Sequence, residues 1–138
     1  MPLVRISVHE KLSAERRRGI ASSVYDAMRA TLGIPENDRF IVISGHSNDG
    51  FSIDPNFMGM QRTEDFVLIH VTLRGGRTTK AKQNFYRETA RLLGERSTIL
   101  PDDVMIVLSP NGLDDWSFGR GEAQYVLNPP ADPQEVSR

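Results

Sequence analysis

From Pro2 to Val8 (PLVRISV), apolar Leu3, Ile6 and Val8 alternate with polar neighbours, which predicts a strand beginning almost at the first residue. Ser13 is placed to cap a helix, with Glu15 suited to its positive end. Ile20, Ala21, Val24, Ala27, Met28 and Thr31-Leu32 then recur at helical spacing, until Gly33 stops the run. A turn at Ile34-Pro35 and Glu36-Asn37-Asp38 leads into a second apolar strand, Arg39 to Ser44. Gly45 to Arg62 has the composition of a long connection with a short hairpin. The pattern then returns: a strand from Phe66 to Leu73, and a helix capped by Thr78 or Thr79 that carries Ala81, Phe85, Tyr86, Thr89, Leu92 and Leu93 and ends at Gly94. A last strand runs from Asp103 to Ser109.

The return is a duplication. Ser13 and Thr78 stand 65 residues apart, and the Ile34-Pro35 turn recurs 66 residues on as Leu100-Pro101, each followed by acidic residues and a Val/Ile-rich strand. Two fused βαβ units, residues 2–44 and 66–109, with right-handed crossovers would put both helices on one face of a four-stranded sheet, an α/β (α+β) fold. Two helices cover one face, yet strands such as Val67-Leu68-Ile69-His70-Val71 are apolar on both, so other subunits are expected to cover the second. The expected domain is 1–127, followed by a Pro-rich, polar and mobile tail at 128–138.

Composition narrows the function. The chain has 138 residues, 38% of them hydrophobic and 25% charged, enough for one ordinary core. Seventeen basic against eighteen acidic residues argue against nucleic acid as a partner, and no apolar run is long enough to span a membrane. The absence of cysteine excludes disulfides, thiol nucleophiles and Cys–zinc sites; with no signal-peptide core, the expected location is cytoplasmic. His46 and His70 have no partner at metal-ligand spacing, so no metal is expected. Gly75-Gly76 and Gly119-Arg120-Gly121 lack the context of a phosphate cradle, and Arg16-Arg17-Arg18 reads as a solvated helix face.

The chemistry begins at Pro2. If Met1 is removed, the chain starts with a secondary amine fixed by strand pairing, and burial or nearby charge can make an α-amino group an acid or a base near neutral pH. That strand, the duplicated βαβ pattern, Gly33-Ile34-Pro35-Glu36-Asn37-Asp38-Arg39-Phe40, the Leu73 to Thr78 turn and Asp115-Trp116-Ser117-Phe118-Gly119-Arg120-Gly121 together resemble the tautomerase superfamily, in its malonate semialdehyde decarboxylase branch. The resemblance covers about residues 2–127 and implies a trimer whose amino-terminal proline is catalytic, assisted by an aspartate and one or two arginines. These fall on Pro2, Asp38, Arg74 and Arg77. Gly75-Gly76 separates the two arginines where family members can have one residue, so a single arginine is expected to face the site, with Arg77 favoured.

Decarboxylation of a small 3-oxo acid leaves an enolate, which protonated Pro2 can stabilise, or which an iminium formed by neutral Pro2 can absorb as an electron sink. Asp38 would hold the ammonium and raise its pKa; an arginine would grip the carboxylate bidentately. Trp116 and Phe118, two apart, would share one face of an extended segment and wall an apolar substrate pocket, or else pack in a core or interface. The same residues would serve a keto–enol tautomerase, or a hydratase or dehalogenase of 3-haloacrylates. An idle trimer that binds a ligand or a protein is the reading outside enzymology.

Overall fold

The computed structural model describes residues 1–132, and residues 133–138 of the expected tail lie outside the described residues. Strand β1 (Pro2–His9), helix α1 (Ala14–Leu32) and strand β2 (Ile41–His46) form the first unit; β3 (Val67–Arg74), α2 (Thr79–Ser97) and β4 (Val104–Asn111) form the second. A short helix α3 (Gln124–Leu127) follows. The sheet order is β2-β1-β3-β4, parallel within each unit, with β1 and β3 antiparallel at the centre. Each strand–helix–strand crossover is therefore local, and the two units are joined through β1 and β3 over the register Pro2↔Leu73 to Val8↔Val67.

Local signals set the helix ends. The Ser13 hydroxyl accepts from the Arg16 N–H and the Thr78 hydroxyl from the Ala81 N–H, so each helix has a donor of its first turn satisfied. Gly33 ends α1 in the left-handed conformation at φ 68°. Gly94 does not end α2, which continues to Ser97, with Thr98 at φ 54° as its left-handed cap. A β-carbon at Gly94 would meet the Ile99 carbonyl at 3.6 Å, an ordinary van der Waals distance, so no close approach requires glycine there. The connection after β2 contains 3-10 turns at Asn48–Gly50 and Phe57–Gly59, and no hairpin among the described residues. It is pinned by Asp103, whose carboxylate accepts from the Thr63 N–H and hydroxyl, each at 2.6 Å.

Alternation divides the sheet. Val4, Ile6 and Val8 of β1 and Val67, Ile69, Val71 and Leu73 of β3 bury against Ile20, Val24, Ala27, Met28 and Leu32 of α1 and Phe85, Leu92 and Leu93 of α2. Each fully buried aliphatic or aromatic side chain contributes about 1.5–3 kcal/mol. The opposite face carries the registered row Val42, Arg5, His70 and Val107, where Val42 is 49% and Val107 39% exposed. Arg16 and Arg17 are not simply solvated. Arg16 donates to the Ser97 carbonyl and Asp65, and Arg17 to the Leu12 and Glu10 carbonyls, tying the start of α1 to the chain around it.

Candidate active site

The first unit delivers Asp38 through a turn. After Gly33, Ile34 is buried and Asn37 takes a left-handed conformation at φ 67°, which turns the chain back so that the Val4 N–H donates to the Phe40 carbonyl at 2.9 Å. Asp38 is thereby set beside the start of β1, with its side chain 11% exposed and Oδ2 3.8 Å from the Met1 amine. The second unit delivers both arginines. Arg74 is the last residue of β3, and Arg77 stands in the turn just before the Thr78 cap of α2.

Both arginines line one cavity of about 410 Å³, together with Met1, Asp38, Tyr125, the Gly33–Pro35 turn, Pro130 and Ala131. They are held differently. Arg77 donates through Nε to the Leu32 carbonyl at the end of α1 and through Nη1 to the Arg74 carbonyl, both at 3.1 Å. Arg74 donates through Nη2 to the Ala131 carbonyl, while its Nε is buried without a hydrogen-bond partner among the described residues. Asp38 Oδ1 is likewise buried without a partner. Buried polar atoms are nearly always satisfied, so an orphaned acceptor and an orphaned guanidinium N–H lining one cavity mark a place built for a ligand.

Burial governs the charges. It pushes the Met1 amine below the ordinary α-amino range; Asp38 pulls the other way, and Arg77 and Arg74 add to the lowering. Burial also raises the Asp38 carboxyl, against the pull of the amine and Arg77. Both partners thus shift toward neutrality, because desolvation outweighs their attraction across 3.8 Å. Asp38 acts on the Met1 amine in the direction expected of it toward a Pro2 amine, raising its pKa, while burial acts more strongly the other way. Arg77 is also held below the usual guanidinium range, by burial first and then by Arg74.

Pro2 is buried at the head of β1, in register with Leu73, and its nitrogen is joined to Met1. Trp116 and Phe118 do share a face, with rings stacked at 5.5 Å, but they do not line this cavity. Phe118 meets it through Tyr125, whose ring lies edge-on to it at 4.8 Å. The Gln124 side chain accepts from the Phe118 N–H and donates to the Gly119 carbonyl, so the turn after Phe118 is folded back and the next residue, Tyr125, is carried to the cavity wall. Sequence reasoning missed Tyr125, Pro130 and Ala131. The signal for Tyr125 was a third aromatic close after the Trp116–Phe118 pair. Burial raises the Tyr125 phenol, as does Asp38, against the two arginines.

A mixed βαβ pair with an amine, a carboxylate and two guanidiniums at its central strands defines the class. The chain belongs to the tautomerase family: profiles described as tautomerase enzyme match residues 38–119 and 2–60. It is 32% identical over 126 residues to "Probable tautomerase YusQ" of Bacillus subtilis (strain 168), covering 91% of this chain and 99% of the relative. Among solved structures, a malonate semialdehyde decarboxylase inhibited by 3-bromopropiolate is 36% identical, covers 94% of this chain and 98% of its own, and superposes with a TM-score of 0.86. A second, solved in wild-type, mutant and inactivated forms as a basis for decarboxylase and hydratase activities, is 28% identical at 94% and 99% coverage and a TM-score of 0.87. A fused 4-OT symmetric trimer, 15% identical with 91% and 98% coverage and a TM-score of 0.75, shares the fold.

Proposed function

We propose that the protein is a cofactor-independent decarboxylase of malonate semialdehyde or a similar small 3-oxo acid, acting through Pro2 once Met1 has been removed. The observation that carries this reading is the pair of unpartnered buried atoms, Asp38 Oδ1 and Arg74 Nε, around a cavity that holds the amino terminus. Nε and Nη2 form the side-on edge of a guanidinium, the edge that matches a carboxylate with two parallel hydrogen bonds. Arg74 is therefore the carboxylate grip, and Arg77, with two donors committed to backbone carbonyls, positions Arg74 and adds positive charge.

With the carboxylate held, the C–C bond breaks to release CO2, and its electron pair passes toward the oxo carbon. Burial and the two guanidiniums, which lower the Met1 amine against the pull of Asp38, would act in the same direction on a Pro2 amine. Neutral Pro2 condenses with the aldehyde, losing water, to give an iminium that takes up the pair as an enamine. Protonation at carbon and hydrolysis then return acetaldehyde and the free amine. Asp38 holds the proton that the amine takes and gives up, and Tyr125, backed by Phe118 and Trp116, closes the apolar side of the cavity. The homotrimer belongs to this proposal. Its supports are the exposed Val42, Met105 and Val107 on the open sheet face and the likeness in fold to a symmetric trimer.

A lowering of this kind at Pro2 would also favour a second reading, in which neutral Pro2 is the base of a keto–enol tautomerase; the Bacillus relative is named a probable tautomerase. Proton NMR of purified protein with malonate semialdehyde, phenylpyruvate and the 3-chloroacrylate isomers separates the readings by product. Acetaldehyde from the first supports decarboxylation; ketonisation of phenylpyruvate alone supports the tautomerase; turnover of none, by protein shown by intact mass to start at Pro2, leaves the idle trimer.

A further inference from the structure

The cavity is roofed by the chain's own C-terminal segment. Pro130 and Ala131 are part of its lining, and Pro130 and Asp132 continue over Arg74 into an adjoining depression of about 430 Å³. Along this segment the Arg74 guanidinium donates from Nη2 to the Ala131 carbonyl. That nitrogen belongs to the edge a carboxylate would use, and its companion Nε is buried and unpartnered among the described residues. A single neutral carbonyl thus occupies half of a site shaped for two anionic oxygens.

We propose that residues 128–132 are an internal competitor for the substrate carboxylate, with the Ala131 carbonyl standing where one carboxylate oxygen binds and leaving when it arrives. This rests on the reading of Arg74 as the carboxylate grip. A charged acceptor serving both Nε and Nη2 is stronger than one carbonyl serving Nη2 alone, so the exchange runs toward substrate at sufficient concentration. Until then the strap lowers the fraction of protein competent to bind, and apparent affinity falls by that fraction.

The test uses malonate, an unreactive dicarboxylate, titrated calorimetrically into the full chain and into a variant ending at Asn128. The shortened protein should bind malonate at least about 3-fold more tightly. A full-length Pro129→Gly/Pro130→Gly variant, whose strap loses more backbone entropy on docking, should move the same way by less; it carries the test if the truncation misfolds. In an Arg74→Ala background the truncation should change nothing, because the two act on one contact. Hydrogen exchange at the Ala131 and Asp132 amides should quicken when malonate binds the full chain. Equal or weaker binding after truncation, slower exchange on binding, or no malonate binding by either protein would overturn the inference. A protein that makes no acetaldehyde, yet binds malonate more tightly without its strap, would keep the inference and lose the proposed reaction.

Discussion

Replacing Arg77 by alanine tests how the two units are locked around the cavity. Leu32 is the last residue of α1, so its carbonyl has no partner within the helix, and Arg77 Nε supplies one at 3.1 Å. The same guanidinium places positive charge at the negative end of α1 and donates Nη1 to the Arg74 carbonyl at 3.1 Å. Two hydrogen bonds from a charged donor are worth about 1.5–3 kcal/mol each, and the dipole contact adds about 0.3–1 kcal/mol. Against this stands the desolvation of a mostly buried cation, several kcal/mol, which the substitution relieves. Arg77→Ala also leaves the Leu32 carbonyl short of a partner beside the buried Ile34, so the net expectation is a loss of about 2–3 kcal/mol. Urea unfolding at fixed protein concentration, followed by far-UV circular dichroism, measures it. Arg77→Lys should recover less than half, since one ammonium cannot span two carbonyls as the planar fork does. An unfolding free energy within about 0.5 kcal/mol of the parent for Arg77→Ala would refute the bracing role.

Arg74→Ala should leave unfolding nearly unchanged yet lower kcat/KM by about 10²-fold, the scale of a lost charge-assisted contact to the reacting group; steady-state kinetics on the active substrate reads it. Protein that retains Met1 should grow more stable as pH rises toward about 8: burial lowers its amine, so in that window the unfolded chain binds more protons than the folded one. Asp38 works with the opposite sign on the acid side, because its raised carboxyl makes the folded chain the better proton binder there. Urea titrations from pH 5 to 9, with Asp38→Asn as comparison, separate the two. Val42→Glu combined with Val107→Glu puts two charges in one registered row of the open face and should give a folded monomer by sedimentation equilibrium.

The strands and the starts of the helices were legible because each rests on local chemistry: period-two alternation in β1 and β3, and hydroxyl caps at Ser13 and Thr78. The end of α2 was not, because Gly94 lies within the helix and the left-handed turn falls on Thr98, a residue with no sequence preference for it. Asp38, Arg74 and Arg77 could be singled out as site residues through family resemblance; nothing local separates them from solvated turn charges. That both arginines reach one cavity follows from Arg77 folding back onto the Arg74 and Leu32 carbonyls, a contact spanning 45 positions in the second case. Tyr125 and the strap escaped for the same reason. Their place depends on where β3 ends and α3 folds back, which no short window of sequence contains.

Asp103 stands 65 residues after Asp38, as Val67 does after Pro2, so each unit has the same carboxylate beside the head of the same strand. In the second unit that carboxylate is already spoken for by Thr63, through an amide N–H and a hydroxyl of the chain leading into β3. A peptide that runs on into its strand offers an amide where the other unit offers an amine, and an amide neither titrates near neutrality nor condenses with an aldehyde. On the proposed chemistry, doubling the architecture would not double the reactive ends: stoichiometry would follow the number of chains rather than of units. A split protein whose second fragment opened at position 67 with proline would carry a second amine beside Asp103.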